Sequence, residues 1–157
     1  ISGQVATMVP DRIGKGTGNK WIATADDQSS FLAEMQNGAL CSVFMSGAAR
    51  HGLGNHTQVF GSEGTILLSN SDEKLLVAKA GEDYQDMSVS DPNADIDGIN
   101  SGIWNVSFVA LMQELTSAIR DDRKLAWGAT FKDGHQCQIA MDAVHQSSKE
   151  RRWIDLS

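Results

Sequence analysis

The sequence predicts an α+β fold: a mostly antiparallel open sheet of about six or seven short strands, with two main helices packed on one face. Three observations predict it. Short apolar segments of strand period are joined by tight turns, whereas parallel neighbours would need crossovers of a dozen or more residues. Near Trp104 the apolar period lengthens to that of a helix. Strands therefore come first and helices mainly later, the order that places helices on one side of an antiparallel sheet.

The elements follow in chain order. Residues 1–10 hold a short β-prone run closed by Pro10, and residues 11–30, with Gly14, Gly16 and Gly18, read as a long connection. The run SSFLAEMQ sets Phe31, Ala33 and Met35 against Leu32, Glu34 and Gln36, a strand period. Asn37-Gly38 after it predicts a two-residue type I′ hairpin, which needs positive φ at both central positions. The return strand ALCSVFMSGAA puts Cys41, Val43 and Met45 on one face and Leu40, Ser42 and Phe44 on the other. Neither face is cleanly polar, so this strand is expected to be covered on both sides, in part by another chain or domain. After the Gly-rich break at 50–54 come HTQVF, a turn at Gly61-Ser62-Glu63-Gly64, TILLS, a turn at Asn70-Ser71-Asp72, KLLVAKA and a further strand in DMSVS.

Trp104, Phe108, Leu111, Leu115 and Ile119 form an apolar stripe on a helix reaching about Arg120. Asp133-Gly134-His135-Gln136 reads as a variant capping box opening a second helix lined by Cys137, Ala140, Met141 and Val144. WIDL is a candidate final strand.

Composition narrows the function. The 157 residues are 41% hydrophobic and 21% charged, an ordinary globular balance. A chain of this size buries roughly 69% of its unfolded surface, enough for a core without disulfide or metal. Its 20 acidic and 13 basic residues give a net charge of −7, which repels phosphate backbones and anionic lipid, so neither nucleic acid nor a membrane is an expected partner. The two cysteines, Cys41 and Cys137, lie on apolar stretches and read as core thiols of a cytoplasmic protein. The chain opens Ile1-Ser2-Gly3, with neither an initiator Met nor a signal peptide, as though cut from something longer.

Most candidate chemistry gives way to a plainer reading. Gly14, Gly16 and Gly18 with Lys15 and Lys20 suggest a phosphate loop, but no Gly-Lys is followed by Ser or Thr and no helix follows. The GxGxxG fingerprint after a strand is absent, so no dinucleotide cradle is expected within these residues. Asn93, Asp95, Asp97 and Gly98 imitate the first half of an EF-hand, yet Trp104 falls where the bidentate Glu belongs. His51, His56, His135 and His145 lack metal-ligand spacing. Asp26 and Asp27 are adjacent on extended backbone, so their side chains diverge and fit a turn or an edge charge better than a paired-carboxylate site. Arg50 and His51 sit among glycines at the open end of a strand, where a fixed charge and a titratable donor could meet an anionic or polyhydroxylated ligand. An exposed polar loop is the competing reading. Trp21, near a sheet edge, joins them as a third candidate for substrate contact.

Four stretches carry a resemblance: DDQSSFLAEMQNGALCSVFMSG, VFGSEGTILLS, the Trp104-to-Ile119 helix, and ATFKDGHQCQIAMDAVHQSSKERRWIDL. In this order, over about 130 residues from Asp26, they resemble the C-terminal domain of the Gfo/Idh/MocA family, the glucose–fructose oxidoreductase and inositol dehydrogenase type. The resemblance implies that residues 1–157 form a single C-terminal domain for substrate binding and oligomerisation. It further implies an N-terminal Rossmann domain on the same polypeptide that binds NAD or NADP, hydride transfer to or from a sugar, polyol or related carbinol, and homo-oligomers formed through the sheet. The family's Glu-Lys-Pro lysine and the His or Asp of the preceding helix have no counterpart here. No catalytic residue is therefore carried over, and the isolated chain is expected to hold no cofactor and to be inactive alone. A sugar-sensing or scaffolding module of the same fold is the alternative.

Overall fold

The structure, a computed structural model, describes residues 1–69, 73–100 and 102–156. In chain order the elements are β1 (Ser2–Ala6), β2 (Asp11–Ile13), β3 (Lys20–Ile22), β4 (Gln28–Glu34), β5 (Leu40–Ser46), β6 (His56–Phe60), β7 (Gly64–Ser69), β8 (Lys74–Lys79), β9 (Gln85–Asp86), α1 (Ile103–Arg120) and α2 (Phe131–Glu150). All strand pairing among the described residues is antiparallel, so the α+β class is the one observed. The chain divides into two compact units, Ile1–Arg50 with Ala129–Ser157, and His51–Gly128.

In the first unit the sheet runs β1-β4-β5, with Gly3 opposite Phe31 and Phe31 opposite Val43. The alternation puts Phe31 and Ala33 on one face and Ser30, Leu32 and Glu34 on the other. Helix α2 packs on β1, its inward face formed by Ala143, Val144 and Ser147. The outer edge of β1 is covered as well. The Gly3 N–H donates to Ser147 Oγ at 2.9 Å and the Val5 N–H to Ser148 Oγ at 3.1 Å, while Ile1 and Ile154 exchange main-chain hydrogen bonds at 2.8 Å. A sheet edge that would otherwise present free donors is thus closed. WIDL makes that exchange without becoming a strand.

The second unit holds the sheet β6-β7-β8-β9 and α1. The turn at Gly61–Gly64 is present, closed by the Gly61 N–H on the Gly64 carbonyl at 2.8 Å. The expected turn at Asn70-Ser71-Asp72 lies outside the described residues. DMSVS contributes only its first residue to β9, although the Met87 N–H still reaches the Leu75 carbonyl at 2.8 Å.

Five expectations are corrected. The supposed connection at 11–30 contains the hairpin β2–β3, whose three-residue strands are too short to show a period. The β4–β5 turn is not type I′: Gly38 has φ 85°, but Asn37 does not have positive φ. The Met35 N–H donates to the Ala39 carbonyl and the Gly38 N–H to the Met35 carbonyl, a three-residue loop with glycine in the left-handed position. α2 begins at Thr130 rather than Asp133: the Thr130 side chain accepts the Asp133 N–H, and Asp133 reciprocates as the third helical residue. Cys137 and Met141 are exposed, because the inward stripe of α2 passes through Ala140, Val144 and Ser147 instead. The stripe on α1 is also turned outward, with Trp104 85% and Ile119 72% exposed, while Val106, Glu114 and Ala118 are buried. Periodicity identifies an apolar face without saying what covers it.

Candidate functional site

The three predicted ligand-facing residues fall in different local settings. Trp21 lies on β3 directly opposite Arg12 of β2 and is about half exposed. The pair belongs to a two-stranded sheet that joins no other strand among the described residues. Arg50 follows β5 as the last residue of the first unit, and His51 begins the second with φ 58°. That left-handed backbone is uncommon for a residue with a Cβ, although histidine tolerates it better than most. Arg50 and His51 are both exposed, and no hydrogen bond or ion pair to a described residue ties up either side chain.

Asp26 and Asp27 do diverge. Asp26 Oδ1 lies 3.5 Å from His145 Nε2 on α2. Asp27 turns the other way, accepting the Met8 N–H at 2.7 Å, the Val9 N–H at 3.1 Å and Arg12 Nη2 at 2.6 Å. The Met8 N–H, helped by that of Val9 and the Arg12 guanidinium, holds its carboxyl below the usual range against the opposing effect of burial. A turn residue was legible in the sequence. Its three donors were not, because they come from residues 15 to 19 positions upstream.

Two further polar anchors escaped sequence reasoning, both within the second unit. Asn93, the residue that imitated a calcium ligand, is buried and accepts from Gln113 Nε2 at 2.9 Å. Its side-chain oxygen is therefore engaged in fastening the acidic loop to α1. Glu114 receives Arg123 in a two-pronged pair at 2.7 and 3.0 Å and the Ala126 N–H at 2.6 Å. Among the described residues no cluster of His, Cys, Asp or Glu could hold a metal ion.

A shallow concavity of about 500 Å³ opens on the first unit, lined in part by Gln4, Ser30, Ser42 and Phe44, with Arg151 and Arg152 beyond the end of α2. Gln4, Ser30, Ser42 and Phe44 share the face of the β1-β4-β5 sheet opposite Phe31 and Ala33. Free hydroxyls, an amide, an aromatic ring and a guanidinium are the groups that grip a polyhydroxylated molecule. They are also ordinary constituents of a protein–protein surface.

A nicotinamide dinucleotide needs a specific cradle. Such a cofactor rests its pyrophosphate on a helix N-terminus reached from a strand through a glycine turn. The glycines of 14–18 instead close the β2–β3 hairpin, where the Gly14 N–H donates to the Asn19 carbonyl. The start of α2 carries Asp133 in its first turn and is capped by Thr130. Among the described residues no strand leads directly into α1.

No protein-family model matches the sequence, and no curated protein matches it. Solved structures do. A levoglucosan dehydrogenase in complex with NADH and L-sorbose matches 99% of this chain and 44% of its own, with a TM-score of 0.78 at 22% identity. An oxidoreductase domain protein from Kribbella flavida matches 99% of this chain and 45% of its own, with a TM-score of 0.74 at 22% identity. The super-repressor mutant of Gal80p from Saccharomyces cerevisiae matches 95% and 42%, with a TM-score of 0.65 at 13% identity. The chain thus spans less than half the length of the proteins it matches. At these identities the likeness shows the fold alone: the chain shares the fold of part of proteins described as a dehydrogenase, an oxidoreductase domain protein and a repressor.

Proposed function

We propose that residues 1–157 act as one domain, the substrate-contacting and self-associating part of a cytoplasmic oxidoreductase that moves a hydride between NAD or NADP and a sugar, polyol or related carbinol. The observation that carries this reading is the fold match over nearly the whole chain to part of a dehydrogenase holding NADH and a sugar. The dinucleotide is assigned to a Rossmann domain of the same polypeptide, as the family resemblance implies. No chemical step is assigned to this chain. Its contribution is to bind and orient substrate, with Arg50, His51 and Trp21 as the contacting side chains. The free guanidinium of Arg50 and the imidazole of His51 can each donate to a hydroxyl, and the indole of Trp21 offers a flat face to the C–H side of a sugar ring. Among the described residues no helix is long and apolar enough to cross a membrane.

A second reading has one observation of its own. A protein named as a super-repressor mutant shares the fold, which favours a sugar-sensing or scaffolding module, because a fold does not fix a function.

The test has two arms. Calorimetry of the 157-residue chain with NADH and NADPH should give no binding above background, and micromolar affinity would overturn the assignment of the cofactor elsewhere. The protein carrying its nucleotide-binding domain should reduce NAD or NADP with at least one member of a sugar and polyol panel. Failure with every substrate, combined with sugar binding, favours the sensing module.

A further inference from the structure

The hairpin β2–β3 is an arm fastened at its root. It pairs three residues with three, Asp11–Ile13 against Lys20–Ile22, and among the described residues joins no other strand. A two-stranded ribbon of that size does not hold itself in water. Its side chains give it little core, with Ile13 69% and Ile22 72% exposed. What fixes it is its root. The Ala23 N–H closes the two strands on the Pro10 carbonyl at 2.8 Å. Both oxygens of the Asp27 carboxylate then hold the incoming strand: Oδ1 takes the Met8 N–H, and Oδ2 takes the Val9 N–H and Arg12 Nη2. Arg12 Nε completes the clasp on the Val9 carbonyl at 2.8 Å. The backbone of Asp27 belongs to the main sheet region, its N–H on the Ala6 carbonyl and its carbonyl on the Gly47 N–H. The Thr7 hydroxyl also crosses the root to the Ala25 carbonyl at 3.1 Å, but Asp27 takes three of the arm's donors, and the side chain it grips, Arg12, stands opposite Trp21.

We propose that Asp27 is a positioning residue: it latches the β2–β3 arm to the β1-β4-β5 sheet and so sets where Trp21 meets a sugar or polyol. The ligand half of this proposal rests on the reading of Trp21 given above; the latch itself does not. Asp27 touches no reacting atom. Its effect reaches the ligand through the arm.

Hydrogen exchange in the 157-residue chain tests the latch. Asp27→Asn should speed exchange of the Ala23 and Gly14 amides about tenfold or more, while the Met35 amide of the β4–β5 turn and the Gly61 amide of the second unit keep their rates. Arg12→Met, which removes one of the three donors, should produce a smaller acceleration at the same amides. Unchanged rates at Ala23 and Gly14 overturn the latch. Equal acceleration at Met35 also overturns it, since Asp27 would then serve general stability. Kinetics of the protein with its nucleotide-binding domain, using L-sorbose and D-sorbitol as probes, tests the ligand half. Trp21→Ala and Asp27→Asn should both raise KM several-fold while kcat stays within about twofold, a loss of binding alone. Unchanged KM in Trp21→Ala alongside accelerated arm exchange in Asp27→Asn overturns the reading of Trp21 and leaves the latch standing.

Discussion

Glu114 shows how one residue stabilises a segment that has no regular structure. Its carboxylate, 8% exposed, takes two hydrogen bonds from Arg123 and one from the Ala126 N–H, fastening the chain beyond α1 back onto the helix. The Arg123 hydrogen bond, then that of Ala126, brings its pKa from 4.5 to about 2, against the upward push of burial. A carboxyl whose pKa is lower when folded stabilises the fold above its unfolded pKa and loses that contribution as the proton returns. The window therefore runs from pH 4.5 down to about 2. Near neutral pH, Glu114→Gln should unfold at lower urea than the parent, because it leaves Arg123 without its anionic partner. The gap should narrow as pH falls through that window. A gap that stays constant into acid would show that charge at Glu114 contributes nothing. Asp86, also at about 2 through the Ser88 hydroxyl and N–H and then Lys74, is half exposed, and solvent screens most of what its pair could add.

At the scale of elements the sensitive place is the crossing of β1 and α2. Gly3 lies there because a Cβ at that position would stand 2.7 Å from Phe31 Cβ and 3.0 Å from both Val144 Cγ1 and the Ser30 carbonyl oxygen. Gly3→Ala should cost about 1–3 kcal/mol of stability by overpacking, measured by thermal unfolding. Gln4→Ala, one residue along on the exposed face, should stay within about 0.5 kcal/mol. Equal, small effects would show that α2 yields freely at this crossing. Elements of this kind were largely legible in the sequence. β1, β4 to β8 and both helices fall where period and turn residues indicated, because each has at least five residues, long enough for composition, period and flanking turn residues to show. β2 and β3 have three each, and their pairing is upheld by Asp27, which no local pattern encodes. The start of α2 was misplaced for a related reason. Thr130 and Asp133 form the box at the spacing Thr-x-x-Asp, while Asp133 and Gln136 offer the same spacing three residues later.

At the scale of the whole molecule, the sequence revealed apolar faces and left their partners unstated. Trp21, Arg50 and His51 could be picked out as exposed polar or aromatic positions beside turns, and all three are exposed. What would make them a site is the geometry of a ligand or of another domain, which no residue spacing in this chain encodes. The β1-β4-β5 sheet poses the same question physically. Its outer face carries Leu32 at 54%, Leu40 at 80% and Phe44 at 65% exposure, grouped on neighbouring strands by the register Leu32↔Ser42 and Glu34↔Leu40. These three side chains alternate with Ser30, Ser42 and Glu34 on the same face; exposed apolar groups clustered in this way mark association surfaces, and a second copy of the same face is the cover that self-association through the sheet would supply. On that reading the chain should sediment as a dimer or larger at high concentration. Phe44→Asp should shift it towards monomer, because the aromatic ring that such a pairing would bury is lost and a carboxylate that must be desolvated takes its place. The substitution lies opposite Ser30 on the exposed side of the sheet, so stability of the monomer should change by no more than about 0.5 kcal/mol. A parent chain that sediments as a monomer throughout would end the proposal, as would a Phe44→Asp variant that associates as strongly as its parent.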